Sequence, residues 1–161
     1  MPDFESLLDR LIRHEVDFVI IGGFAAVTHG VWLVTEDLDI CCGFDEASLR
    51  RLHAAVADLH PVHRMTPQRI PFELTPHLLS TLKNVYLRTD LGILDCLGNV
   101  KGLGDFDEVK KHAVILTLPI GPCRVLSIDA LIRAKEAIGE PKDLEAVRQL
   151  KAIKAQKERR N

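Results

Sequence analysis

The chain has 161 residues, 47% of them apolar and 27% charged, with a formal net charge of −2. This balance is that of a folded globular chain long enough to bury a core, and it excludes a protein whose whole surface is built for nucleic acid or a membrane, so any partner has to be argued locally. No apolar run approaches the roughly 20 residues that span a bilayer, and the opening Met-Pro-Asp-Phe-Glu-Ser lacks a basic stretch followed by an apolar one, so a cytoplasmic protein with no membrane partner is expected.

Phe4, Leu7, Leu8, Leu11 and Ile12 recur at helical spacing and predict a first amphipathic helix over 3–14. Residues 16–23, VDFVIIGG, form a continuous apolar run closed by glycines, which suits a strand buried on both faces, and 24–30, FAAVTHG, has the length and alanines of a short helix ending at Gly30. EDLDICC, 36–42, alternates acid and apolar, so it predicts a strand with Asp37, Asp39 and Cys41 on one face and Leu38, Ile40 and Cys42 on the other. Asp45 is placed to cap a helix carrying Leu49, Leu52, Val56 and Leu59, broken at Pro61. Four prolines between 60 and 80 forbid a long regular element there, and a loop with short strands is expected. His60 and His63 in this stretch form an HxxH that reads as surface loop, because no carboxylate accompanies it.

Residues 84–98 predict an antiparallel hairpin about Asp90-Leu91-Gly92, its second arm carrying Asp95 between Leu94 and Cys96. A short polar helix over 105–111 and strands over 113–118 and 122–126 follow. Ser127 is a helix cap, Gly139 a helix end, and Pro141 opens a final helix with Leu144, Val147, Leu150 and Ile153 on its apolar stripe. Cys41, Cys42, Cys96 and Cys123 show no metal-ligand spacing and read as buried reduced thiols acting as small hydrophobes.

Chemistry concentrates in the acids. On an extended strand Asp37 and Asp39 share a face with α-carbons roughly 6.5 to 7 Å apart. Asp95 brought alongside would gather three negative charges in a partly dry place, which requires cations or a retained proton. An all-oxygen donor set favours Mg2+ or Mn2+, and two such ions about 3.5 to 4 Å apart would stabilise attacking and leaving oxygens in phosphoryl or nucleotidyl transfer. A solvated strand edge with ordinary salt bridges explains the acids alone equally well. The glycines shift that balance: Gly22 and Gly23 lie between a buried strand and a helix, where backbone N–H groups can approach a phosphate.

Ile21-Gly22-Gly23, a thirteen-residue spacer, and Asp37-Leu38-Asp39-Ile40 together resemble the hG[GS]…[DE]h[DE]h signature of the DNA polymerase beta-like nucleotidyltransferase superfamily. The segments VTEDLDICC, LRTDLGILDCLGNVKGLGDFDEV and VLSIDALIRAKEAIGEPKDLEAVRQL are similar to small bacterial nucleotidyltransferase-fold proteins related to toxin and antitoxin components, so the resemblance covers most of the chain. It implies an α+β fold with a mixed central sheet of the nucleotidyltransferase palm type flanked by helices and ending in a helical pair. The core is expected over 1–126 and the C-terminal helices over 127–161, packed on or beside it as one compact domain.

The resemblance further implies transfer of NMP from NTP to a hydroxyl on RNA or protein, with release of pyrophosphate. Asp37, Asp39 and Asp95 would be catalytic and metal-binding, two Mg2+ or Mn2+ ions the cofactors, and a toxin–antitoxin partner protein is a further expectation. Gly22 and Gly23 would meet the NTP phosphates. Thr35, on the metal-facing side of the strand, would bond a ligand or close the sheet. Lys135 lies on the apolar stripe of its helix, where it either snorkels or pairs with triphosphate oxygens; the spacing to Lys142 and Asp143 fits the family. His29 either borders the nucleotide or caps its helix. Gly23 stands where many relatives have serine, and Leu33, Val34 and Glu140 stand where arginine is common, which removes positive charge around the triphosphate. The alternative of another class is a weakly active or inactive nucleotide-binding or toxin-neutralising module of the same fold.

Overall fold

The computed structural model describes residues 1–160, so Asn161, the last residue of the 127–161 segment, lies outside the described residues. Helix α1 (Phe4–Arg13) starts at Asp3, whose side chain accepts from the Ser6 N–H, and it buries Leu7, Leu8 and Leu11. Strand β1 (Phe18–Ile21) is buried throughout, and α2 (Gly22–Thr28) follows it directly. The expected start of that helix at Phe24 is therefore two residues late: both glycines belong to its first turn.

Strand β2 (Asp37–Cys42) leads to α3 (Glu46–Val56), capped by Asp45 as expected. The proline-rich stretch holds β3 (Val62–His63) and also α4 (Pro76–Thr81), a helix the sequence reading did not foresee, although its start is written in Thr75 as cap and Pro76 in the first turn. The expected hairpin is β4 (Asn84–Thr89) and β5 (Gly92–Leu97). Then come the small pair β6 (Asn99–Val100) and β7 (Gly104–Asp105), helix α5 (Phe106–Lys111), and a second hairpin of β8 (Ala113–Leu118) and β9 (Gly121–Leu126). Helix α6 (Ile128–Ile138) runs from the Ser127 cap to Gly139, which adopts the left-handed conformation at φ 69°. Pro141 opens a single 3-10 turn over Pro141–Asp143, and α7 (Leu144–Arg160) begins after it.

Seven strands form one sheet in the order β3-β4-β5-β2-β1-β9-β8. Strand β2 runs antiparallel to β1 and parallel to β5, and β1 runs parallel to β9, so the sheet is mixed and the fold α+β. Buried residues from the central strands and from α1, α3, α6 and α7 belong to one apolar cluster. No described helix is long and apolar enough to cross a membrane.

Register does the positioning. Ile21 pairs with Asp39, Asp39 with Asp95, and Asp95 with Tyr86, which sets residues of four strands in one row across the sheet. One step along, Asp37 pairs with Ile93 and Ile93 with Arg88. Because side chains alternate along a strand, the buried Val85, Leu87 and Thr89 face the core while Tyr86 and Arg88 share the opposite face with the acids.

Candidate active site

Asp37, Asp39 and Asp95 each offer a carboxylate oxygen within 4.8 Å of the others, the only such group of possible metal donors among the described residues. Asp95 is only 5% exposed, on a strand flanked by sheet on both sides. Burial, reinforced by the charges of Asp95 and Asp37, pushes the Asp39 carboxyl up to about 7, against the opposing pull of Arg64 and Lys135. Three carboxylates at this separation call for positive charge, and their all-oxygen chemistry fits Mg2+ or Mn2+.

Part of that charge comes from Arg64, a residue the sequence reading did not single out. Its Nε donates to Asp95 Oδ1 at 2.9 Å, a second guanidinium nitrogen donates to Asp95 Oδ2, and the same nitrogen lies 3.9 Å from Asp37 Oδ2. The Arg64 backbone N–H donates to the Tyr86 carbonyl at 3.0 Å, and its guanidinium carbon sits 5.6 Å from the Tyr86 ring centroid. Arg64 thus extends the Asp39–Asp95–Tyr86 row to the sheet's edge. The neighbouring carboxylates hold its pKa above the ordinary value. The only signal that could have found it is the register of a two-residue strand, which no short motif announces.

The glycine turn closes the other side of the triad. Gly22 has φ 69°, and a Cβ there would collide with the Asp39 carboxylate and lie 3.0 Å from its Cβ. Glycine is therefore required twice, for the backbone conformation and for the approach of Asp39. A Cβ on Gly23 would stand 3.2 Å from Leu33 Cδ2 and 3.3 Å from Thr35 Oγ1, so both side chains press close against the turn. Thr35 is thereby brought to the turn, and its hydroxyl donates to the Asp37 carbonyl at 3.1 Å, bracing the strand where the acids begin.

Lys135 does not carry its ammonium out to water. It pairs with Asp143 Oδ1 at 3.2 Å, with side chains 13% and 17% exposed, and its charge still reaches Asp39. Lys142 pairs instead with Glu140 at 3.2 Å. His29 Nε2 lies 2.7 Å from the Leu126 carbonyl, so its ring N–H braces α2 against the end of β9. The HxxH does not converge: His60 is left-handed at φ 51° and pairs with Asp90 at 2.7 Å, whereas His63 packs edge-on against Phe72. All four cysteines are free and buried. Burial raises the Cys41 thiol to about 12, which removes it from thiolate chemistry.

No family model matches the chain, and no curated protein matches it. Solved structures do share its fold. TM1012 of Thermotoga maritima, crystallised as a candidate nucleotidyltransferase, is 19% identical with a TM-score of 0.58 over 91% of this chain and 88% of its own. ANT(2'')-Ia in complex with adenylyl-2''-tobramycin is 18% identical with a TM-score of 0.57, over 98% of this chain and 95% of its own. The lincosamide antibiotic adenylyltransferase LnuA, bound to lincomycin, is 16% identical with a TM-score of 0.62, over 94% of this chain and 98% of its own. At these identities the likeness is one of fold: a nucleotidyltransferase fold spanning nearly the whole chain.

Proposed function

We propose that the chain is a metal-dependent nucleotidyltransferase that moves NMP from an NTP to a hydroxyl acceptor and releases pyrophosphate. One observation carries this reading: three carboxylates from two parallel strands converge within 4.8 Å beside a glycine turn that would clash with Asp39 if it bore a side chain. The nucleotidyltransferase fold supports it, and two of the fold's neighbours are described with adenylylated product or as an adenylyltransferase.

Asp37, Asp39 and Asp95 would hold Mg2+ or Mn2+, which when bound would neutralise the acids and polarise the α-phosphate. The N–H groups of Gly22 and Gly23 would meet the triphosphate, with Thr35 fixing the turn against β2. Lys135 sits near enough to Asp39 to add positive charge on that side. The acceptor oxygen forms a bond to the α-phosphorus, the bond to the bridging α–β oxygen breaks, pyrophosphate leaves with that electron pair, and the hydroxyl proton passes to Asp95 and then to water. A module that only binds nucleotide would gain by replacing one acid with Asn and so relieving their repulsion; retention of all three speaks for catalysis.

The test is incubation of pure protein with each α-labelled NTP, MgCl2 or MnCl2, and a mixture of cellular RNA and protein. Label transfer that disappears in Asp39→Ala and in EDTA supports the enzyme. NTP binding without transfer under every condition would replace it with the binding module.

A further inference from the structure

In-line displacement sets the attacking and leaving oxygens on opposite sides of the α-phosphorus. With pyrophosphate leaving over the glycine turn, on the β1 side of the triad, the acceptor has to enter from the other side, over β5, β4 and the end of β3. That path is basic and aromatic. Arg64 and Tyr86 continue the row beyond Asp95. Arg88, two residues from Tyr86 on the same face, is exposed, pairs through its backbone with Ile93 and Val62, and its guanidinium has no ion pair or hydrogen bond among the described residues. Strands in a sheet lie about 4.8 Å apart, so these side chains stand within roughly 5 to 10 Å of Asp95, the distance of one nucleotide unit.

We propose that Arg64, Tyr86 and Arg88 form the acceptor subsite, and that the acceptor is an anion bearing a phosphate close to its reacting hydroxyl. This rests on the transferase reading above and names the acceptor's chemistry within it. Arg64 has two duties. Without metal it neutralises Asp95 and Asp37; once divalent cations take over that charge, its fork is free for a phosphate, which guanidinium geometry matches with two parallel hydrogen bonds. Arg88 supplies a second, uncommitted guanidinium, and Tyr86 supplies a ring on which a base can stack. A polyamine such as an aminoglycoside would instead meet two positive charges on this approach. The chemistry is common to an RNA 3′ end and a small sugar phosphate, and binding separates the two.

The probe is a 5′-fluorescein single-stranded RNA dodecamer with a free 3′-hydroxyl, followed by anisotropy in MgCl2 without NTP, so that no transfer occurs, with ribose 5-phosphate and tobramycin as competitors. Arg88→Ala is expected to weaken RNA binding about 5-fold or more and to reduce the slope of log K against log salt by about 0.7, while Arg88→Lys keeps the slope. Tyr86→Ala is expected to weaken binding about 5-fold and Tyr86→Phe to leave it unchanged. Ribose 5-phosphate binding that depends on Arg88, in the absence of RNA binding, assigns the same subsite to a sugar phosphate. Unchanged affinity and slope in Arg88→Ala, or tobramycin binding more tightly than either phosphate, overturns the proposal. Arg88 is exposed and its replacement leaves the core untouched, so the result does not hinge on whether Arg64→Ala folds. If label moves from NTP to an acceptor and Arg88→Ala is indifferent, only this subsite is wrong; if label never moves while phosphate binding tracks Arg88, the transferase reading fails instead.

Discussion

Replacing Asp39 by Asn removes one charge from the crowded triad while keeping the side chain's size, and it should stabilise the metal-free protein. The Asp39 carboxyl is raised from 3.8 to about 7 in the fold, a difference that corresponds to about 4 kcal/mol at most. The sign follows from proton counting: between pH 4 and 7 the folded state holds a proton that the unfolded state has lost, so stability falls as pH rises through that window and levels off above about 7. In EDTA at pH 8, Asp39→Asn is therefore expected to be more stable than the parent by about 2 to 4 kcal/mol, a range that already sets the attraction of Arg64 and Lys135 against burial and the neighbouring carboxylates. For a chain of this length that is a rise in Tm of about 5 to 15 °C. At pH 5 the gap should narrow to about 1.5 kcal/mol, and the two proteins should coincide only below about pH 3.5, where Asp39 is protonated in the folded and unfolded states alike. Saturating MgCl2 should raise the parent's Tm at pH 8, by about 2.7 kcal/mol worth of stability at 100-fold excess over Kd, and leave the variant's unchanged. Thermal unfolding followed by circular dichroism at both pH values reads all of this. A variant no more stable than the parent at pH 8 in EDTA would refute the idea that Asp39 is held in an unfavourable ionised state.

Three further outcomes follow from particular contacts. Gly22→Ala should cost about 1 to 2 kcal/mol for the left-handed backbone alone and should also displace Asp39, so chemical denaturation and Mn2+ titration should both be affected; normal Mn2+ affinity would show that Asp39 is free to move. Arg64→Ala should bind Mn2+ about 10-fold more tightly, because the competing guanidinium is gone from Asp95 and Asp37, and weaker binding measured by calorimetry would mean that Arg64 orients the acids rather than competing for them. Native protein should react slowly with Ellman's reagent at pH 8, since all four thiols are buried and burial raises Cys41, Cys96 and Cys123; a fast stoichiometric thiol would contradict that burial.

The triad was legible because a strand's two-residue period is visible in Asp-Leu-Asp-Ile, and the apolar setting of Asp95 marked a third acid on a buried strand. The glycine turn was legible as a type but not in its boundary: the helix begins at Gly22, and the left-handed φ and close approach of Asp39 at that residue are tertiary facts. Arg64 and Tyr86 were not legible, since their nearness to Asp95 depends on the register of β3 against β4 and of β4 against β5. Arg88 could be noticed for its charge, but only that register gives it a place. Lys135 was visible as a lysine on an apolar stripe, yet its partner, Asp143, is set by how the turn after α6 folds back. Helix α4 was missed because the density of prolines outweighed the capping pair Thr75-Pro76.

The most direct test is anomalous diffraction from crystals soaked with MnCl2 and a non-hydrolysable NTP analogue. Manganese peaks among Asp37, Asp39 and Asp95, phosphate oxygens on the Gly22 and Gly23 amides, and Arg64 withdrawn from Asp95 are the expected result. A nucleotide bound elsewhere, with Arg64 still paired to Asp95 and no manganese between the acids, would contradict it.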